Sequence, residues 1–264
     1  MKVKDIEGGE VMNYEVVWKG NEHTNSSSRT SNGVSHIPFV HICHISAGTM
    51  VSMDSWFTSA GNTSSSAHFG VSRSGDIHQY VDIRRMAWAN GIGAEEIAAS
   101  ATPVVHDNPG INPNLYSVSI EHEGMDGHLT EAQYVASVWL HLFIRNEVMR
   151  IYGATAYYEL DEYHVIGHRD ISKAKPACPG IYFPFVRLYS ELRVKNDSGD
   201  VDNMPMKLEQ WQWDMLYKVM GAAYNIDQLS WDWMQKIVDQ TMTASELAFL
   251  NTVLDGRLDR GIEG

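Results

Sequence analysis

Three observations in this 264-residue chain predict an α/β fold: a mixed central β-sheet flanked by helices, followed by a small C-terminal helical bundle. Short apolar runs bounded by Gly or Pro recur through the first two-thirds of the sequence, as buried strands require. A long apolar-rich segment opens on a helix-capping signature at Thr130. Beyond a polar stretch at 194–204, apolar residues recur every three or four positions, the period of packed helices.

Taken in order, residues 1–36 are polar, and Asn25-Ser26-Ser27-Ser28-Arg29-Thr30-Ser31-Asn32-Gly33 reads as a flexible surface loop. The run Phe39-Val40-His41-Ile42-Cys43-His44-Ile45, between Pro38 and Gly48, predicts a buried strand. His44 stands at its exit, and His41, three residues earlier, faces the opposite side. A core histidine bonded to backbone would account for His44 equally well at this point. Met53-Asp54-Ser55-Trp56-Phe57 suggests a short helix. Two β-rich runs, 66–72 and 77–81, flank Arg73-Ser74-Gly75-Asp76, a hairpin signal. Trp88-Ala89-Asn90-Gly91 lies in a loop, and the glycines and prolines from Gly91 to Pro113 predict a long irregular segment.

Strand character returns at 116–124, where alternation sets Val118, Ile120 and His122 on one face and Ser117, Ser119, Glu121 and Glu123 on the other. Thr130-Glu131-Ala132-Gln133 has the spacing of a capping box and predicts a helix to about Tyr152. Residues 183–192 read as a closing helix. The predicted organisation is one domain over 1–193, a linker over 194–204 and a helical domain over 205–264. In that last domain Leu208, Trp211, Met215, Val219 and Ala222 form one predicted stripe, and Leu229, Trp233 and Ile237 another. Thr243-Ala244-Ser245-Glu246 is a second capping box. Tryptophans 211, 213, 231 and 233 pack a core, or, where exposed, mark a face for glycan or a second subunit.

Composition narrows the function. With 33 acidic against 20 basic side chains the formal charge is -13, which repels phosphate-rich partners, so no nucleic acid is expected. No apolar stretch approaches the roughly 18 residues a membrane span needs, so no membrane partner is expected. The N-terminus mixes charge and glycine where a secretory signal would be apolar. Only Cys43 and Cys178 occur, too few for a disulfide framework.

The most chemical stretch is Gly167-His168-Arg169-Asp170-Ile171-Ser172-Lys173-Ala174-Lys175-Pro176-Ala177-Cys178. Imidazole and thiolate ten residues apart look like two ligands of one metal ion, and that pair favours zinc. Lysines beside them would hold the sulfur deprotonated and add positive charge. A buried cysteine after a helix-capping His-Arg-Asp loop reads the same residues without a metal.

Taken together, His44-Ile45-Ser46-Ala47-Gly48, Ser66-Ala67-His68-Phe69, Ser119-Ile120-Glu121-His122-Glu123-Gly124 and the loop from His168 to Cys178 resemble, in that order, the zinc N-acetylmuramoyl-L-alanine amidases called amidase type 2, shared by phage lysins and peptidoglycan recognition proteins. The resemblance spans roughly residues 38–192. It implies one Zn2+ per chain held by His44, His168 and Cys178, with the fourth position open as catalytic zinc requires. It implies Glu121 as general base, in the branch lacking a hairpin tyrosine, where this chain has Ala67. The family's oxyanion-stabilising lysine falls on Pro176, so Lys175 is the expected substitute, with Lys173 nearby. Trp88 and Asn90 stand where relatives read Trp-His-Ala-Gly and are expected, with Ala67 and His68, along the substrate groove.

The implied activity is hydrolysis of the amide between N-acetylmuramic acid and L-alanine in bacterial peptidoglycan, in a phage or prophage endolysin made in the host cytoplasm and released to the wall by a holin. Residues 205–264 would bind a wall polymer or self-associate. Two rivals are a peptidoglycan-binding module without catalysis, which would most simply lack Cys178, and a cytosolic amidase recycling muropeptides.

Overall fold

In chain order the larger unit begins with β1 (Val16–Trp18), β2 (Ser26–Ser28), β3 (Thr30–Ser31), β4 (Val34–Ser35) and β5 (Val40–Ile45). Helix α1 (Met50–Phe57), β6 (Phe69–Val71), β7 (Ile77–Gln79) and β8 (Arg85–Ala87) follow, then α2 (Ala94–Ala98), α3 (Pro103–His106) and β9 (Ser117–His122). The unit closes with α4 (Glu131–Tyr152), β10 (Val165–Gly167), α5 (His168–Ile171) and α6 (Phe185–Asp197). This computed structural model describes residues 14–197, 206, 208–226, 228–243, 246, 247, 249–251, 253 and 254. The chain divides into two compact units, one over Tyr14–Asn196 and one C-terminal to it.

Six strands form the central sheet in the order β1-β7-β6-β9-β5-β10, with β5 parallel to both β9 and β10, and β6 antiparallel to β7. The sheet is therefore mixed, and helices cover both faces. On one face α4 supplies His141 against His41 and Ser137 against His122. On the other, Ile97 of α2 and Val104 and Val105 of α3 pack with Val40, Ile42, Ile166 and Ile171. Burial on both sides explains why β5 reads as a nearly continuous apolar run. The 73–76 turn closes the predicted hairpin, with Gly75 at φ +90, a backbone region open to glycine, and its absent Cβ leaving 3.0 Å to the Ala132 carbonyl.

Several local expectations need correction. The stretch 25–33 carries β2 and β3, because Arg29 is pulled into the core, where its guanidinium donates to the carbonyls of Ile83, Asn114, Leu115 and Ser117. Residues 91–113 hold two short helices, α2 and α3, rather than irregular chain. Thr130 caps α4 by accepting from Gln133 N at 3.1 Å, but the Gln133 amide turns inward to donate to Val71 O and Glu123 O. Only half of the predicted capping box forms, because buried strand carbonyls compete for its side chain. Helix α6 runs through the expected boundary at 193, and 198–204 of the predicted linker lie outside the described residues.

In the C-terminal unit α7 (Gln210–Tyr224) packs on α8 (Trp231–Val238) around Trp213, Met220, Met234, Ile237 and Met242. The predicted α7 stripe is out of phase: Trp211, Met215 and Val219 are more than half exposed, and Trp213 and Met220 are buried instead. Both faces of this helix are apolar, so periodicity alone cannot choose between them. The second capping box is observed through Glu246 N to Thr243 Oγ1 (3.1 Å) and Thr243 N to Glu246 Oε2 (3.0 Å); Ala244 and Ser245 are outside the described residues.

Candidate active site

Strand register delivers the key side chains. His44 pairs with Glu121 across β5 and β9, while Gly167 pairs with Cys43 across β5 and β10, so His168 leaves β10 directly opposite His44. Neighbouring strands lie about 4.8 Å apart, which sets Glu121, His44 and His168 in one row at the carboxyl ends of parallel strands. Ligands bind at that edge in open α/β sheets. The chain then folds back: Arg169 N donates to Cys178 O at 2.8 Å, and Arg169 Nη1 donates to Gly180 O at 3.0 Å, returning Cys178 to the row. Gly180 takes φ +108 with Asp126 packed where a Cβ would stand, so this return needs glycine.

The ligand atoms of His44, His168 and Cys178 lie within 4.8 Å of one another. His44 Nε2 is 2.8 Å from Asn90 Oδ1, leaving Nδ1 for the row, 3.8 Å from Glu121 Oε1. Burial holds both imidazoles neutral, His44 well below its ordinary pKa and His168 pushed down to about 4, with Lys175 pressing the same way. Neutral imidazoles are what a metal needs. The expectation that lysines keep Cys178 ionised fails in the metal-free chain: burial raises the thiol to about 11, outweighing the Ile45 N–H and Lys175. A metal would have to displace that proton on binding.

Glu121 Oε2 is buried and has no hydrogen-bond partner among the described residues. Burial lifts this carboxyl to about 7, with Lys175 pulling it partly back. A carboxyl near neutrality with a free lone pair is suited to accept and return a proton.

These groups line a groove of about 710 Å³, with Lys175 and Trp88 on its wall. The sequence did not single out Trp56, 49% exposed, or Ser64 and Ser65 beside it, which also line the groove. Trp56 Nε1 donates to Ser65 Oγ at 2.9 Å, fixing an aromatic plate beside hydroxyls. Trp56 is the seventh residue of the short helix α1, and the sequence carried no signal that it faces the groove. Lys173, by contrast, donates its backbone N–H to Glu96 Oε1 and is not on the groove wall.

Three residues expected on the groove are placed elsewhere. Ala67 is 0% and His68 1% exposed, both inside the core. His68 Nδ1 accepts from Ser119 N at 3.0 Å, and its Nε2 is 2.8 Å from Arg29 Nη2, so the ring braces β9 and the buried guanidinium. Burial lowers that guanidinium to about 10. Asn90, 1% exposed, lies behind His44 rather than in the groove.

The fold and this site define an amidase-type hydrolase centre. The profile of the N-acetylmuramoyl-L-alanine amidase family matches residues 31–181, more than half of the sequence, and the chain belongs to that family. Among solved structures, a selenomethionine AmpD derivative is 21% identical over 69% of this chain and 96% of its own, with a TM-score of 0.49. The amidase LysC from Clostridium intestinale URNW is 16% identical over 69% and 99%, with a TM-score of 0.41. AmpDh3 from Pseudomonas aeruginosa, solved with an anhydromuramic pentapeptide, is 16% identical over 87% and 86%, with a TM-score of 0.44. No curated protein sequence matches the chain.

Proposed function

We propose that this amidase is zinc-dependent and cuts the bond between N-acetylmuramic acid and L-alanine in peptidoglycan. The observation that carries the reading is the convergence of two neutral imidazoles and one cysteine within 4.8 Å, beside a buried carboxylate with an unused oxygen. Two nitrogens and one sulfur suit zinc and leave one tetrahedral position free. Zinc held by His44, His168 and Cys178 would supply Lewis acidity, polarising the amide carbonyl and acidifying water toward a pKa of about 7.

The chain's own residues do the rest. Glu121 takes the proton of the attacking water and passes it to the departing amine of L-alanine. Lys175 faces the groove and balances negative charge developing on the carbonyl oxygen. Trp88 and Trp56 hold the substrate along the groove walls, so that the scissile amide lies over Glu121.

We extend the reading to a phage or prophage endolysin, made in the host cytoplasm and reaching the wall after a holin opens the membrane. Residues 205–264 would form a separate domain beyond the linker, holding the enzyme on a wall polymer or pairing two copies. Trp211 and Trp231, 64% and 47% exposed, support that role.

A zinc-selective chelator is expected to abolish clearing of isolated cell walls, and added zinc to restore it; clearing that persists without metal contradicts the zinc role. Mass analysis of the digested wall should find new L-alanine amino termini. Hydrolysis confined to soluble muropeptides, with intact walls untouched, would favour the recycling enzyme over the lysin.

A further inference from the structure

We infer that Asn90 is a positioning residue that fixes the tautomer of His44, presenting the bare Nδ1 to the metal through a hydrogen-bond chain that ends on the Pro113 carbonyl. The inference rests on the zinc reading above and concerns how this chain builds that site.

The direction of the chain follows from chemistry at its far end. Ser117 Oγ lies 2.6 Å from Pro113 O, and a carbonyl only accepts, so the hydroxyl proton of Ser117 is committed there. Ser117 Oγ is also 2.8 Å from Asn90 Nδ2. Having spent its one proton, the hydroxyl must accept at that contact, so the Asn90 amide nitrogen faces Ser117 and its oxygen faces His44. The Asn90 oxygen stands 2.8 Å from His44 Nε2, and an amide oxygen cannot donate, so Nε2 carries the ring proton. In a neutral imidazole Nδ1 is then the unprotonated nitrogen, free for a metal.

The backbone holds the relay in place. Asn90 N donates to Asn114 Oδ1 at 2.6 Å, and Asn114 N donates to Asn112 Oδ1 at 3.0 Å. Asn90, Ser117 and His44 are all nearly inaccessible, so water does not compete for these contacts. A partner on the second ring nitrogen orients a metal-binding histidine, fixes its tautomer and raises its basicity, and losing such a partner typically costs about 10–100-fold in metal affinity. This assignment moves Asn90 from substrate contact to support of the metal site.

Two measurements test it. In metal-free protein, nitrogen-15 NMR of the histidine rings should show His44 protonated at Nε2 and bare at Nδ1; a ring protonated at Nδ1 overturns the inference whether or not zinc binds. By chelator competition, Asn90→Ala and Asn90→Leu should bind zinc about 10–100-fold more weakly than the unsubstituted chain. Asn90→Asp, whose carboxylate still accepts from Nε2 while Ser117 turns its hydroxyl proton from Pro113 O to the second carboxylate oxygen, should recover most of that loss. Zinc affinity within twofold of the parent for folded Asn90→Ala and Asn90→Leu overturns it too. A parent chain that takes up no zinc would instead defeat the metal reading, with the NMR result still deciding the tautomer.

Discussion

On one face of β5, His41 and Cys43 point toward α4 and meet His141; on the other, His44 meets His168 and Cys178. Both groups contain two histidines and one cysteine, and burial keeps the histidines of both neutral. They differ in what their lone pairs face. In the closed group His41 Nδ1 is 2.7 Å from His141 Nδ1, His41 Nε2 is 2.7 Å from Tyr158 OH, and His141 Nε2 is 3.8 Å from Cys43 Sγ. Every ring nitrogen there has a protein partner, so nothing remains to offer a metal. In the open group Asn90 engages only one nitrogen of His44, and the remaining donors converge beside a groove. Histidine and cysteine content does not make a metal site; unspent, converging lone pairs do.

The largest effect expected from this contrast concerns the carboxylate that belongs to the open group alone. Glu121→Gln keeps the shape and the metal ligands but cannot accept a proton, so kcat should fall by about 10²–10⁴ while zinc content is retained. Full activity in that variant, measured by release of L-alanine amino termini, would remove Glu121 from the mechanism.

The closed group, together with His122 on the same face of the sheet, should show itself in acid stability. His122 and His141 have folded pKa values of about 4 and 3, below an unfolded value near 6.5, and His41 is shifted the same way. Below pH 6.5 the unfolded chain binds protons that these buried rings refuse. Their contribution is complete above that pH and is lost progressively as pH falls toward the folded values. The slope rises toward about 1.4 kcal/mol per pH unit for each group as pH drops below 6.5, so His122 and His141 together should cost roughly 3 kcal/mol between pH 6.5 and 5. Urea unfolding at the two pH values checks this, and equal stabilities would contradict the neutral, closed assignment.

Much of this contrast was legible in the sequence. The separation of His41 from His44 by three residues places them on opposite faces of any strand, and alternation through Ser117–His122 likewise separates Glu121 from His122. The four motifs then identified the row of Glu121, His44, His168 and Cys178. What stayed hidden depends on long-range partners. Arg29 looks like a solvent residue until four carbonyls from 54 to 88 positions away are seen to enclose it. Asn90 sits in a loop whose neighbours Trp88 and Gly91 do line the groove, so only the third dimension shows it turned inward to His44. The phase of α7 was undecidable because Trp211 and Trp213 offer equally apolar faces, and only the packing against Met234 and Ile237 selects one.

The most direct test of the central claim is zinc content, by elemental analysis after dialysis, in the parent chain and in the variants Cys178→Ala and Cys43→Ala. One zinc per chain should be found in the parent and in Cys43→Ala, and little or none in Cys178→Ala, since losing a ligand should cost at least the roughly 10–100-fold that a supporting residue does. Zinc retained in full without Cys178, or lost when Cys43 is replaced, would contradict the assignment of the open group as the metal site.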